Sequence, residues 1–182
     1  MPATFWTVGH STRPIDEFLG LLRGMSIGLV ADVRRFPGSR RYPHFNEDAL
    51  AAALAGAGIG YRHVPGLGGR RGKRAPGSPN TAWRVEAFNA FADHMASAEF
   101  RGALDELIAL AEDRRVAIMC SEAVPWRCHR RLIADALVAR GHDVLDILGP
   151  GKADPHSLTP FARLVGDLPT YPAEPLFGAA EG

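Results

Sequence analysis

Short runs of apolar, β-branched and aromatic residues alternate with segments of helical period along the first 149 residues, and this alternation confines the chain to βαβ units. The strand-like runs cover residues 4–8, 27–33, 60–64, 116–120 and 144–148. Between the first two, Ser11 or Thr12 can cap a helix that has Pro14 near its first turn. Ile15, Phe18, Leu19 and Leu22 form its apolar stripe, and Gly24 ends it. Asn46 opens a second helix through Leu50 and Leu54. Helical spacing returns with Val85, Phe88, Phe91 and Met95, continues through Phe100, Leu104, Leu107 and Leu110, and recurs from Cys128 to Arg140. The expected fold is an α/β three-layer sandwich around a mostly parallel sheet of about five strands, Rossmann-like or rhodanese-like, with right-handed crossovers. Residues 1–149 make that domain. Residues 150–182, interrupted by six prolines, read as a C-terminal extension, either an ordered wrap or a loose tail.

In parallel α/β sheets, ligands sit beyond the carboxyl ends of the strands. The loops at that end carry Gly9-His10-Ser11, Asp32-Val33-Arg34-Arg35, Gly66 to Arg74, and Cys120 to Arg130, whereas the helix-to-strand turns at Gly24, Gly58 and Gly141 are bland. The chemically capable residues are thus segregated to one end of the sheet.

The most informative stretch is Cys120-Ser121-Glu122-Ala123-Val124-Pro125-Trp126-Arg127-Cys128-His129-Arg130. Cys120 closes a strand and Cys128 is expected to open the helix that follows. A thiol near a helix N-terminus, with Arg127, His129 and Arg130 around it, has its pKa lowered, and the free amides there favour an anion. Glu122 can move a proton or neutralise an arginine. The alternative for Cys120 is a small core residue. Asp32 beside Arg34 and Arg35 reads as a base or an orienting carboxylate, with arginines that grip phosphate, or as an ion pair that shuts the loop. His10 leaves the first strand into the same region, as a catalyst or as a hydrogen-bonding residue.

Charge supports an anionic ligand. The chain has a net charge of only +1, but residues 34–74 hold eight Arg and one Lys against Glu47 and Asp48. Arg34, Arg35, Arg40, Arg70 and Arg71 supply the cations expected to bind substrate, Ser11 a hydroxyl, and Gly68 and Gly69 a close backbone approach. Phe36, Tyr42, Phe45, Trp83 and Trp126 interleave with the arginines, as stacking surfaces for bases or as residues that pack the loops onto the core; Phe45 is expected in the core, and Trp126 and Trp83 stay open between the two. No Walker or dinucleotide fingerprint is present. Two cysteines are too few for a disulfide scaffold or an iron–sulfur cluster, and Cys-x7-Cys-His is not a zinc spacing, so no cofactor and no metal are expected. No apolar run approaches the ~18–20 residues of a membrane span, and the N-terminus lacks a signal-peptide layout. A cytoplasmic location without membrane association is therefore expected.

The ordered motifs Thr-Val-Gly-His-Ser (7–11), Asp-Val-Arg-Arg-Phe-Pro-Gly-Ser-Arg (32–40), Phe-Asn (45–46), Leu-Gly-Gly (67–69), Phe-Ala-Asp-His-Met (91–95) and the stretch from Cys120 to Arg130 resemble the domain of unknown function 488 family. Phe91 stands where members of that family often carry tyrosine. The resemblance implies the α/β fold and points to His10, Asp32, Arg34, Cys120, Glu122, Cys128, His129 and Arg130, but implies no reaction. A weaker similarity, in Asp-Val-Arg at one strand end and Cys at another, is to rhodanese domains, where Cys120 would carry sulfur. Glu122 and Pro125 within the loop, and its lack of glycine, depart from that pattern.

The expected function is an enzyme acting on a phosphate-containing substrate, a nucleic acid or nucleotide. Cys120, Cys128, Glu122, His10 and Asp32 would be its catalytic groups. Ser11, the arginines, Gly68, Gly69, Trp126 and His129 would bind the substrate. The alternatives are rhodanese-like sulfur or phosphate transfer through Cys120, and a non-catalytic nucleic-acid or protein binding module.

Overall fold

The computed structural model describes residues 1–174. In chain order the elements are β1 (Thr4–Gly9), α1 (Ile15–Gly24), β2 (Leu29–Asp32), α2 (Glu47–Gly56), β3 (Gly60–His63), α3 (Glu86–Met95), α4 (Ala98–Leu110), β4 (Val116–Cys120), α5 (Arg130–Ala139), β5 (Asp143–Gly149), β6 (Lys152–Pro155), β7 (Arg163–Val165) and β8 (Leu168–Thr170). Six strands form one sheet in the order β3-β2-β4-β1-β5-β6. All pairings are parallel except β5 with β6. The strands β7 and β8 make a separate antiparallel ribbon.

Alternation along the central strands builds two cores. Phe5, Leu29, Ala31, Val116 and Ile118 face one side and pack on Phe91, Phe100, Leu104 and Leu132 from α3, α4 and α5. Trp6, Val8, Val30, Ala117 and Met119 face the other, against Phe18, Leu22, Leu50 and Leu54 from α1 and α2. The result is a three-layer α/β sandwich. Because β2 and β4 are covered on both faces, they read as continuous apolar runs in the sequence, β2 as far as Asp32.

Local details depart from expectation for identifiable reasons. Ser11 does not cap α1; it adopts the left-handed backbone (φ 51°), its amide donates to Ser121 O, and Pro14 flanks the helix instead. Asn46 does stand at the head of α2, but its side chain accepts from the Ser39 amide rather than from the helix. The helical stretch from residue 85 to 110 breaks at Ser97, whose hydroxyl caps α4 by accepting from Phe100 N at 3.1 Å. Cys128 does not open α5. Residues Pro125–Arg127 form a 3₁₀ turn, Cys128 is extended, and the helix begins at Arg130.

Of the alternatives for the extension, residues 150–174 form the ordered wrap; the remainder lies outside the described residues. Its sixth strand, Lys-Ala-Asp-Pro, has no apolar alternation and sits at a sheet edge, so periodicity gave no sign of it. Tyr171 is wholly buried and its carbonyl accepts from the amides of Thr81 and Ala82 at 2.9 and 3.0 Å. No helix among the described residues is long and apolar enough to cross a membrane.

Candidate functional site

The topology itself opens a crevice. Strands β1 and β4 are parallel neighbours, with Gly9 opposite Cys120, yet β1 leads to α1 on one face and β4 to α5 on the other. Their outgoing loops part at the carboxyl ends, which is where an open α/β sheet binds ligands. A cleft of about 740 Å³ lies there, within the usual range of small-molecule sites. Two larger hollows, of about 1060 and 1160 Å³, lie at the opposite end around Gly141 and His142; neither contains a thiol.

Glycine is required at position 9. A Cβ there would stand 1.6 Å from Glu122 O, because the loop after Cys120 crosses directly over it. His10 N and Ser11 N extend the strand pairing by donating to Cys120 O and Ser121 O, both at 2.9 Å. This lattice fixes His10 at the cleft floor, stacked on Phe45 at 4.2 Å, so that Phe45 belongs to the core as expected. The His10 Nδ1–H donates to Ser11 O at 2.9 Å, leaving Nε2 to face Arg34 Nη1 at 3.4 Å. Burial pushes the His10 pKa down to about 4, so the ring is neutral at pH 7.

Asp32 is fully occupied. It accepts from Arg34 Nε at 2.9 Å, Arg34 Nη2 at 2.7 Å, the Arg34 amide at 3.1 Å and the Tyr61 hydroxyl at 2.6 Å. A carboxylate with these partners orients a guanidinium and has no free lone pair for a substrate proton. Its reading as a base is therefore corrected to a positioning role. Arg34 is left with one edge turned to His10 and the cleft.

The sulfur site lies across from this pair. Arg130 is wholly buried, and its Nη1 donates to Cys120 Sγ at 2.7 Å and to Glu122 O at 2.5 Å, while Nη2 donates to Ala123 O at 3.2 Å. Burial opposes ionisation of Cys120, but a hydrogen bond from the Cys128 thiol and the charge of Arg130 bring its pKa below the ordinary value. Burial and the neighbouring Cys120 sulfur push Cys128 the other way, well above the usual thiol range. Of the two, Cys120 is the thiol that ionises first and Cys128 the one that keeps its proton. His129 donates from Nε2 to Val33 O at 3.1 Å, and burial lowers its pKa to about 4.

The structure brings His10, Ser11, Arg34, Arg35, Gly69, Arg70, Cys120, Glu122, Arg127, Cys128 and His129 to this one cleft. Several predicted residues stand elsewhere. Arg40 lines a separate shallow hollow with Pro43 and Asn46. Gly68 is tight against Arg35, where a Cβ would meet its Cα at 2.7 Å, so the close approach is to the chain itself. Arg71 pins its own loop, donating to Gly68 O and Pro65 O at 2.8 Å each. Arg130 serves Cys120 and two carbonyls instead of an outside anion. Trp126 is half exposed outside the cleft, and Trp83 is buried against Phe161 and Tyr171.

Sequence reasoning missed Arg41, which lines the cleft with the Phe36 and Tyr42 it had marked for stacking, and Tyr61, which completes the Asp32 cage. Arg41 lay within the counted basic loop, beside the Arg40 chosen instead. The role of Tyr61 depends on the register of β2 with β3, which sequence spacing does not disclose.

Fold and site together define a single, mostly parallel α/β domain with an arginine-lined, thiol-bearing cleft at its strand ends. The family model described as "Domain of unknown function DUF488" matches residues 14–137, well over half of the chain, and the chain belongs to that family. No curated protein and no solved structure matches it.

Proposed function

We propose that the protein is an enzyme whose cleft binds a phosphate-containing substrate, a nucleic acid or a nucleotide. The observation that carries this reading is the lining itself. Arg34, Arg35, Arg41, Arg70 and Arg127 surround one cleft whose only carboxylate among the described residues is Glu122, in a chain of net charge +1. Guanidiniums grip phosphate oxygens bidentately, and Arg34 is pre-set for that by Asp32. Phe36, exposed on the rim, offers a face on which a base can stack. Cys120 on the floor is the candidate nucleophile, Glu122 the group that takes or gives protons, and His10 a neutral hydrogen-bond partner.

Sulfur transfer through Cys120 draws less support. A persulfide carrier needs amides aimed at its sulfur, whereas here the carbonyls of Glu122 and Ala123 turn inward to Arg130.

The test is binding of a fluorescent single-stranded oligonucleotide, and of a nucleoside triphosphate, across a salt series. Affinity should fall steeply with salt, and Arg70→Ala or Arg127→Ala should each weaken it severalfold and reduce the slope by roughly one phosphate contact. Binding of neither probe, or binding indifferent to both substitutions, overturns the reading. With a ligand in hand, Glu122→Gln and Cys120→Ser separate an enzyme from a binding module: in an enzyme they spare binding and abolish turnover.

A further inference from the structure

The Cys120–Cys128 pair is built in a way that phosphate binding does not require. Seven residues separate the two, and the 3₁₀ turn over Pro125–Arg127, closed by Cys128 N donating to Pro125 O at 3.0 Å, folds the chain back so that both sulfurs line the same cleft. One residue holds both: the Arg130 guanidinium donates to Cys120 Sγ at 2.7 Å and the Arg130 amide to Cys128 Sγ at 3.4 Å. His129 Nδ1 stands 3.6 Å from Cys128 Sγ. A core cysteine needs none of these partners.

We propose that Cys120 and Cys128 form a redox couple that reduces a hydroperoxide entering the cleft and closes to an intramolecular disulfide. In the first step the Cys120 thiolate attacks the outer oxygen of the peroxide. An S–O bond forms, the O–O bond breaks, and hydroxide (or an alkoxide from an organic peroxide) leaves and takes up from solvent the proton that Cys120 released on ionising. Cys120 becomes a sulfenic acid and is oxidised by two electrons. In the second step the Cys128 sulfur attacks the Cys120 sulfur. The S–S bond forms, the S–O bond breaks, and the departing hydroxide takes the Cys128 proton as water. The net change is oxidation of two thiols to a disulfide and reduction of the peroxide to two waters, or to water and an alcohol.

The geometry assigns the roles unequally. Cys120 holds the guanidinium, which stabilises an anion and makes it the attacking sulfur. Cys128 keeps its proton while its neighbour is anionic. Once Cys120 is a neutral sulfenic acid, the charge holding that proton is gone and Cys128 is free to resolve it. Arg130 retains its two carbonyl acceptors throughout, so the loop keeps its anchor.

The experiment treats native wild-type protein with hydrogen peroxide, alkylates it in denaturant, and reads intact mass and the peptide map. The expected result is loss of both alkylatable thiols, a Cys120–Cys128 cross-linked peptide, and recovery with dithiothreitol. In Cys128→Ser, dimedone should trap a sulfenic acid on Cys120; in Cys120→Ser, Cys128 should stay reduced. Two thiols still alkylatable in the treated wild type, or a dimedone adduct there without a disulfide, overturns the proposal without need of the variants. So does trapping on Cys128 in Cys120→Ser.

Discussion

Two buried polar clusters flank the central strands, and they treat the same residue types in opposite ways. At the carboxyl end of the sheet, His10 and His129 are held neutral by burial, with pKa values near 4. On the α5 side, His156 is held charged. Burial opposes its charge, but hydrogen bonds to Asp135 at 2.8 Å and Asp146 at 3.2 Å raise its pKa to about 9. The second cluster is closed: Asp135 also accepts from the Tyr171 hydroxyl at 2.8 Å and from Thr159 N at 3.1 Å, and Asp146 accepts from the Thr7 hydroxyl. Every strong partner there is internal, and the cluster ties the C-terminal wrap to α5 and β5. The first cluster is open, since Arg34, His10 and Cys120 each turn a polar atom to the cleft. A closed network stabilises; an open one is available to a ligand.

The comparison breaks most visibly at Asp135, which is wholly buried. Asp135→Ala leaves one N–H of a buried imidazolium, a tyrosine hydroxyl and an amide without their acceptor, and should destabilise the fold by about 3–5 kcal/mol. Urea unfolding measures it. A loss below ~1 kcal/mol would mean that the cluster is not what fixes residues 156–171. The cleft should be less affected, because the hydrogen-bond partners of the Asp135 carboxylate, His156, Thr159 and Tyr171, do not line it.

Next in size is a pH dependence whose two limbs belong to the two clusters. The folded pKa of His156 is raised above its unfolded value of about 6.5. Its contribution is therefore fully present below pH 6.5 and fades as pH rises through about 9, on the order of 3 kcal/mol in all. His10 and His129 have the reverse sign. Their folded values are depressed, so the unfolded chain takes up protons first and stability falls as pH drops from about 6.5 towards 4. Unfolding free energy should peak near neutrality, and His156→Gln should flatten the alkaline limb while leaving the acid limb in place. An unchanged alkaline limb in that variant would show that His156 is neutral in the fold.

The two clusters also differed in how far the sequence exposed them. The open cluster was legible because strand ends and loop composition disclose it: Gly9-His10, Asp32-Arg34 and Cys120 through Cys128 all follow apolar runs. What could not be read was which groups neutralise one another. Asp32 was open between a base, an orienting carboxylate and an ion pair, and Arg130 between neighbouring thiols and an outside anion; the register and the path of the loop over Gly9 give Asp32 to Arg34, and Arg130 to Cys120 and two carbonyls. The closed cluster was missed altogether. Asp135 sits inside an otherwise apolar helix pattern, and His156 and Tyr171 lie in a proline-interrupted segment without a period. Only the tertiary wrap brings them together.

The smallest effect is the sharpest test of closure. Tyr171→Phe removes one hydroxyl and leaves the ring, which packs 5.1 Å from Trp83. Asp135 loses one of its partners but keeps His156 and Thr159 N, so the charge stays paired. The expected loss is about 1.5–3 kcal/mol, as for a hydrogen bond to a charged group, and below that for Asp135→Ala. Burial and the Asp135 carboxylate also hold the Tyr171 hydroxyl far above its usual ionisation range, so it stays protonated throughout the alkaline limb. The substitution should accordingly lower the whole pH–stability curve without changing its shape. If instead the alkaline limb of Tyr171→Phe shifts to lower pH, the tyrosine is helping to keep the proton on His156, and the closed cluster is one coupled unit extending from Thr7 to Tyr171.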